Sequence, residues 1–288
     1  SAAQRAAVVS LKNFFQWVKA VMMNELPPSL APSAAEDCRV LDLCCGNGSD
    51  LLSWPPAQLK TYVGVDINLH CLLQARRQVP ASGPALCKFL EADCFSDGLH
   101  LKLAQEGCGR PYNFVTCFFA MYLAFDAEER VRHLLQNVAT NLETGGLFMG
   151  TVIDSNLVVK RLRTTRGMEF GNSAYWLSFK GREDKAFPKS KPPVRLEVDL
   201  RIHHDHVEPV RTECLVVWPY LLSLAEEYGL RLEWQRNVHE LYSRYAEECE
   251  GLWRKNRVRE IPEKAWEEAW EAQWEFAYLY KAFAFRKV

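Results

Sequence analysis

The feature that most restricts the fold is the run Val40-Leu41-Asp42-Leu43-Cys44-Cys45-Gly46-Asn47-Gly48-Ser49-Asp50-Leu51. An uninterrupted apolar segment delivers the chain into a Gly-x-Gly turn, and a turn of this kind is expected to open a helix. About twenty residues further on, a second apolar run, Thr61–Val65, ends at Asp66. Gly46 and Gly48 let the main chain turn sharply and let a ligand approach it closely. A carboxylate at the end of the next strand accepts both hydroxyls of a ribose. Strand, glycine turn and acid-tipped strand in this order form the opening of a nucleotide-binding α/β sheet.

The remaining pattern agrees. Apolar runs at Arg39–Leu43, Thr61–Val65, Ala85–Leu90, Asn113–Phe118 and Leu147–Val152 read as strands. Helical stretches lie between them at Asn68–Gln78 and Asp126–Thr140, the second with Asp126 as its expected N-cap. Thr144-Gly145-Gly146 reads as a turn. Strands alternating with helices imply a mostly parallel sheet. An amphipathic helix over Ala3–Leu26, stopped by Pro27-Pro28, precedes this core. Beyond Asp154 the alternation gives way to a helix over Asn156–Arg163, strand-like Tyr175–Phe179 and Val194–Ile202, and a polar loop over Gly181–Pro193. A helix at Trp218–Tyr228, a strand at Leu230–Val238 and a closing strand at Phe276–Arg286 complete the expectation. The whole reads as one domain over 1–288. It comprises an N-terminal helical segment (1–37), a cofactor-binding core (38–153), a substrate-binding insertion with the sheet edge (154–235), and C-terminal helices with the closing strand (236–288).

The turn chemistry selects among cofactors. A dinucleotide would favour Gly-x-Gly-x-x-Gly with its phosphates on a helix N-terminus. Here Asp50 stands two residues after the second glycine, which suits a cation and not a pyrophosphate. S-adenosylmethionine has a ribose, an adenine, an ammonium and a sulfonium, and no phosphate. Asp42 and Asp50 are expected to meet its ammonium directly or through water, Asp66 its ribose, and Asp93 its adenine amino group.

Composition excludes other classes. No apolar run reaches the ~20 residues needed to span a bilayer. Ten cysteines, two of them adjacent and others inside apolar runs, show the usage of a reducing compartment and contain no zinc-like spacing. The formal net charge of −1 gives no global pull on nucleic acid, so such a substrate needs a local basic cleft. The chain opens on Ser1, as a piece of a longer protein would.

Leu11-Lys12-Asn13-Phe14-Phe15-Gln16-Trp17-Val18-Lys19 resembles the N-terminal helix motif of the eukaryotic mRNA cap guanine-N7 methyltransferases. Further segments match that family in order: the Asp42–Leu52 turn, Gly150-Thr151 with Ser155 and Arg161-Leu162, and Glu169-Phe170-Gly171-Asn172 with Tyr175. Glu213-x-Leu215-Val216 and Tyr280-x-x-Phe283-Ala284-Phe285 follow. The resemblance implies a Rossmann-like class I S-adenosylmethionine-dependent methyltransferase with a seven-stranded sheet and an inserted cap-binding region. Its substrate is the GpppN end of mRNA, its second product S-adenosylhomocysteine, and no metal takes part. It implies that Lys19 contacts the cofactor's carboxylate, with Phe118 also on the cofactor side. Glu213 hydrogen-bonds the guanine edge, Tyr280 stands near the methyl-transfer point and Phe119 lines the pocket. Asn13, Asn47, Arg77, Tyr122 and Tyr175 fall on the substrate side. Two departures stand out: Asn47 replaces the family's usual Lys, and Tyr122-Leu123 replaces its His-Tyr. Nuclear residence (cytoplasmic for a viral member) and contacts with other capping enzymes or an activating subunit are implied by the resemblance alone.

Guanine N7 has its own lone pair, so the expected transfer is an in-line displacement without an acid or base residue, with Glu213, Tyr280 and Phe119 positioning the reactants. Two alternatives keep the fold: a methyltransferase for another RNA position or a small molecule, and a catalytically silent cap-binding subunit. His203-His204-Asp205-His206 reads as a polar loop and not a metal site. Trp266, Trp270 and Trp274 read as a core-packing stripe, and Cys44-Cys45 as small packing residues beside the turn.

Overall fold

The computed structural model describes residues 2–25, 37–55, 57–109, 111–179, 181–182, 184–185, 192–202, 210–255 and 263–288. The central strand β1 (Cys38–Leu43) is buried over nearly its whole length. It pairs in parallel with β2 (Leu59–Asp66) on one side and β4 (Tyr112–Phe118) on the other. Continuous apolar strands covered on both faces are what a parallel sheet requires. β3 (Leu86–Glu91) extends the sheet beyond β2, and β5 (Leu142–Ile153) beyond β4. β11 (Tyr280–Lys287) is then inserted antiparallel between β5 and β10 (Leu230–Asn237). The order is β10-β11-β5-β4-β1-β2-β3.

Alternation along the strands feeds two cores. On β11, Ala282 and Ala284 face one layer while Phe283 and Phe285 face the other. The first layer holds α1 (Ala2–Asn24), α2 (Leu69–Arg77), α7 (Val238–Tyr245) and α9 (Glu263–Ala277) through Phe14, Trp17, Leu72, Leu241 and Phe276. The second holds α3 (Leu99–Gln105), α4 (Glu128–Asn141) and α6 (Trp218–Glu227) through Leu99, Leu134 and Leu221. Helices therefore cover both faces, as expected. α5 (Ser155–Thr164) follows β5, with the Asp154 carboxylate accepting from Asn156 N at its N-terminus. α8 (Glu250–Lys255) lies between α7 and α9. A separate antiparallel sheet is made of β6 (Glu169–Gly171), β7 (Tyr175–Ser178), β8 (Glu197–Ile202) and β9 (Arg211–Cys214).

Several boundaries differ from expectation. The glycine turn opens only a short 3₁₀ turn, Ser49–Ser53, and not a helix. Pro55 forces Trp54 into the extended region (φ −72, ψ 146), which ends the turn. Asp126 does not cap α4: Ala127 stands at the cap without a side-chain bond, and Asp126 pairs with Arg130 Nε at 3.1 Å. β8 starts at Glu197 because Arg195 adopts φ 60, which breaks an extended run at Val194. The Gly145 turn (φ 83) lies inside β5 as an irregularity, between the pairs Tyr112↔Leu142 and Phe114↔Leu147. Phe276 and Ala277 end α9 and do not begin β11. Trp270 and Trp274 stack at 5.4 Å and meet Phe14 edge-on, which is core packing; the Trp266 side chain lies outside the described residues. His203–His206 and most of the Gly181–Pro193 loop also lie outside them. All ten cysteines are free thiols. No helix among the described residues is long and apolar enough to cross a membrane.

Candidate active site

The C-terminal ends of β1, β2 and β4 converge on the glycine turn. Gly46 (φ 53) and Gly48 (φ 72) both occupy the left-handed region. A Cβ on Gly48 would lie 2.8 Å from the Ala75 Cβ, so α2 packs against this backbone, whereas a Cβ on Gly46 would point into open space. Asp66 braces the turn. Its Oδ2 accepts from Gly46 N and its Oδ1 from Asn68 N, each at 2.8 Å, leaving one lone pair per oxygen for a diol. Ile67, the next residue, is an exposed apolar side chain at 69%.

Asp42 is buried. Tyr62 donates to its Oδ2 at 2.5 Å and Thr116 to its Oδ1 at 2.8 Å. Burial, with the Asp50 charge nearby, pushes its carboxyl up to about 7 against the pull of these two hydroxyls. Asp50 is engaged by Lys19 Nζ, and by Gln16 Nε2 at 3.3 Å. The Lys19 ammonium lies 5.9 Å from the Phe118 ring centroid and 6.0 Å from that of Phe119. Asp93 accepts from Phe95 N and pairs with Arg130 at 3.0 Å.

A cavity of about 180 Å³ adjoins this end. Its floor comes from the ends of β5 and β11 (Thr151, Tyr280), one wall from Phe119 and Tyr122, and the other from β9 (Arg211, Glu213). Phe119 turns into it with φ 56, while its N–H donates to Thr151 Oγ1 at 3.0 Å. Phe15, Phe119 and Tyr280 form an edge-to-face triangle with centroid distances of 4.9, 4.9 and 5.4 Å. Glu213 is 6% exposed, and among the described residues its nearest cation is Arg211 Nη2 at 4.0 Å. No hydrogen bond from the described residues reaches its carboxylate, and burial pushes it up to about 7 although Arg211 opposes the shift. Burial also raises Tyr122 and Tyr280, with the Glu213 charge as the next cause, so both hydroxyls stay protonated as donors beside it.

Glu213, Tyr280, Phe119 and Tyr122 are thus brought together, and Lys19, Asp42, Gly46, Gly48, Asp50, Asp66 and Phe118 form the adjoining end. Asn47 is exposed on the crest of the turn, Arg77 is exposed at the end of α2, and Asn13 is half-buried on α1; none lines the cavity. Tyr175 does not line it either. It is fully buried against Phe276 at 4.8 Å, and the adjacent Asn172 Nδ2 donates to Ala272 O at 3.0 Å. The Phe170-Gly171-Asn172-x-x-Tyr175 motif therefore docks the small sheet onto α9. A Cβ at Gly171 would come within 2.2 Å of Tyr175 O.

Arg211, Phe15, Thr151 and Ile67 are site residues that the sequence reading did not single out. Arg211 was findable, since it precedes Glu213 by two on a strand and shares its face. Among the described residues, no group of three or more His, Cys, Asp or Glu side chains is arranged to hold a metal.

Comparison with known proteins identifies the family. The model of the mRNA (guanine-N(7))-methyltransferase domain family matches residues 1–288. The mRNA cap guanine-N(7) methyltransferase 1 of Oryza sativa is 34% identical over 99% of this chain and 76% of its own length. That of Arabidopsis thaliana is 32% identical over the same shares. Among solved structures, the CcbJ methyltransferase of Streptomyces caelestis superposes with a TM-score of 0.54 at 13% identity, covering 94% of this chain and 95% of that one, which is a likeness of fold. A family match along the whole chain, with identities at this level, means that the chain belongs to the mRNA (guanine-N(7))-methyltransferase family.

Proposed function

We propose that this chain methylates N7 of the guanine that caps GpppN-ended RNA, using S-adenosylmethionine. The observation that carries the reading is Glu213, a buried carboxylate without a hydrogen bond in an aromatic-walled cavity beside the Asp66 end. A buried carboxylate requires donors. Among the common bases, guanine presents two adjacent donors on one edge, N1–H and the 2-amino group, which match the two oxygens of a single carboxylate.

When bound, S-adenosylmethionine supplies a methyl group on a positively charged sulfur. Asp66 is suited to its ribose hydroxyls, Ile67 to its adenine face, and Lys19 with Asp50 to its zwitterionic end. Phe119, Phe15 and Tyr280 exclude water and fix the guanine plane, so that N7 faces the methyl carbon in line. Guanine N7 would take the methyl carbon with its own lone pair as the C–S bond yields its electron pair to sulfur, so the chain's residues need only position the two. No proton leaves the guanine at N7, so no base is needed. Positive charge passes to the purine, which strengthens the N1–H and amino hydrogen bonds to ionised Glu213 as the transition state develops. Tyr122 and Tyr280 keep their protons and offer donors to the purine O6. The relatives named above are eukaryotic, and nuclear residence is part of the same proposal.

The test is transfer of labelled methyl to RNA ending in unmethylated GpppN, with methylated-cap and triphosphate-ended RNA as controls. Label confined to the unmethylated cap and released as 7-methylguanine is the expected result. Cofactor binding without such transfer would overturn the proposal.

A further inference from the structure

A second cleft, of about 520 Å³, lies between α5 and the segment leading into β8. Among the described residues its lining includes Lys160, Arg163, Arg182 and Arg195, and no carboxylate. The local charge is not a reflection of the whole molecule, whose formal net charge is −1. Helical spacing explains the wall: Asn156, Lys160, Arg163 and Thr164 recur on one face of α5, while Val158 and Leu162 turn to the core. Lys160 and Arg163 are exposed and make no ion pair among the described residues.

Arg195 faces the cleft from the opposite side. Its φ of 60 is a left-handed conformation that a non-glycine residue adopts only under strain. The conformation is held by two bonds to the carbonyls before α4, from Arg195 N to Phe125 O at 2.8 Å and from Nε to Asp126 O at 2.7 Å. An arginine held in a strained conformation by its own backbone and side chain is pre-positioned for an anion.

The cleft borders the Glu213 cavity directly. Leu215 N donates to Leu196 O at 2.8 Å; Leu215 and Val216 line the cavity, whereas Leu196 and Val217 line the cleft. Ile153 and Ser155 divide in the same way at the end of β5. A single layer of backbone separates the two.

We propose that this cleft is a second RNA-binding site, which takes the phosphates of the nucleotides following the cap. The inference rests on the reading of the neighbouring cavity as the guanine site. An anion tethered to the occupant of that cavity arrives at high effective concentration, which favours the RNA's own backbone over a separate acidic peptide. The guanine cavity then supplies base recognition, and the cleft supplies sequence-independent grip.

The test is direct binding of a short GpppA-capped oligonucleotide, followed by fluorescence anisotropy over a salt series, for the full chain and for Lys160→Glu/Arg163→Glu. The pair lies outside the cavity, so turnover of the free dinucleotide GpppG stays within about twofold and reports that the variant is folded. The variant is expected to bind the oligonucleotide on the order of tenfold more weakly, and its log–log salt slope is expected to fall by about 1.4, two phosphate contacts at ~0.7 each. Lys160→Gln/Arg163→Gln should show a smaller loss in the same direction. Unchanged oligonucleotide affinity and salt slope in both variants would overturn the proposal and point to an acidic peptide as the occupant. Binding needs no turnover, so a chain that binds capped RNA with this salt dependence but does not methylate it would count against the proposed function alone.

Discussion

The end proposed for the cofactor and the cavity proposed for guanine adjoin each other, yet they are built on opposite principles. At the cofactor end each acid already has partners: Asp66 braces two backbone N–H groups, Asp42 accepts from Tyr62 and Thr116, and Asp50 holds Lys19 and Gln16. This end is set by strand termini and is complete before any ligand arrives. In the cavity, Glu213 has only Arg211 at 4.0 Å, and the hydroxyls of Tyr122 and Tyr280 bond to nothing among the described residues. Glu213 is a largely buried carboxylate whose donors, on the proposed reading, come from the ligand. On the proposed reading, one end is preorganised by the fold and the other is completed by the substrate.

Substitutions can break that contrast. The largest effect is expected from Glu213→Ala, which removes two charge-assisted hydrogen bonds that tighten in the transition state. The kcat/KM for GpppG should fall on the order of a thousandfold, while cofactor affinity, measured by calorimetry, stays within about twofold. A matching loss of cofactor affinity would mean that the two ends are one unit. Asp66→Ala should act in the opposite sense. Cofactor Kd rises on the order of a hundredfold, and melting temperature falls because Gly46 and Asn68 lose their acceptor, while kcat at saturating cofactor is largely kept.

A third expectation concerns pH. Glu213 must be ionised to receive guanine, and burial raises it from its ordinary 4.5 to about 7. The kcat/KM, which reports the free enzyme, should therefore climb as pH rises toward about 7 and level above it. Glu213→Gln should remove that limb and separate it from any contribution of Asp42. The sign for stability is the reverse. A carboxyl raised in the folded state favours folding while protonated, so its contribution is lost as pH rises through the same value, and thermal melts of wild type and Glu213→Gln across this range should converge at low pH and diverge above it. The smallest effect is expected for Asn47→Lys on the exposed crest of the turn. Restoring the lysine usual in the family at this position should lower KM for capped RNA about threefold at low salt and less at high salt.

Much of the cofactor end was legible because its chemistry is local in sequence. The Val40–Leu51 run carries strand, turn and acids together, and Asp66 follows on the neighbouring strand. The cavity was legible only through resemblance to a family, since Phe15, Phe119, Glu213 and Tyr280 are far apart in the chain and meet only after β11 and β9 are in place. The same reasoning misjudged Tyr175 and the helix after Gly48. In the first case a distinctive motif serves packing, through Asn172 on α9. In the second, proline chemistry at Trp54-Pro55 outweighed the usual continuation of a glycine turn. Arg77 and Asn13 fell outside the cavity because helix phase, which a motif does not report, decides where a side chain points.

The position of β11 has a kinetic consequence. Its partner β5 is separated from it in sequence by the whole of the small sheet and by α6 to α9. Until β11 inserts, β5 presents a free edge in what becomes the interior of the sheet, and Phe148 lacks its cover of Phe283 and Phe285. Closing so long a loop is entropically slow, and an open edge of apolar strand is prone to pair with another chain. Refolding from denaturant should accordingly show a late, concentration-sensitive phase in which methyl-transfer competence and protection of the β5 amides appear together.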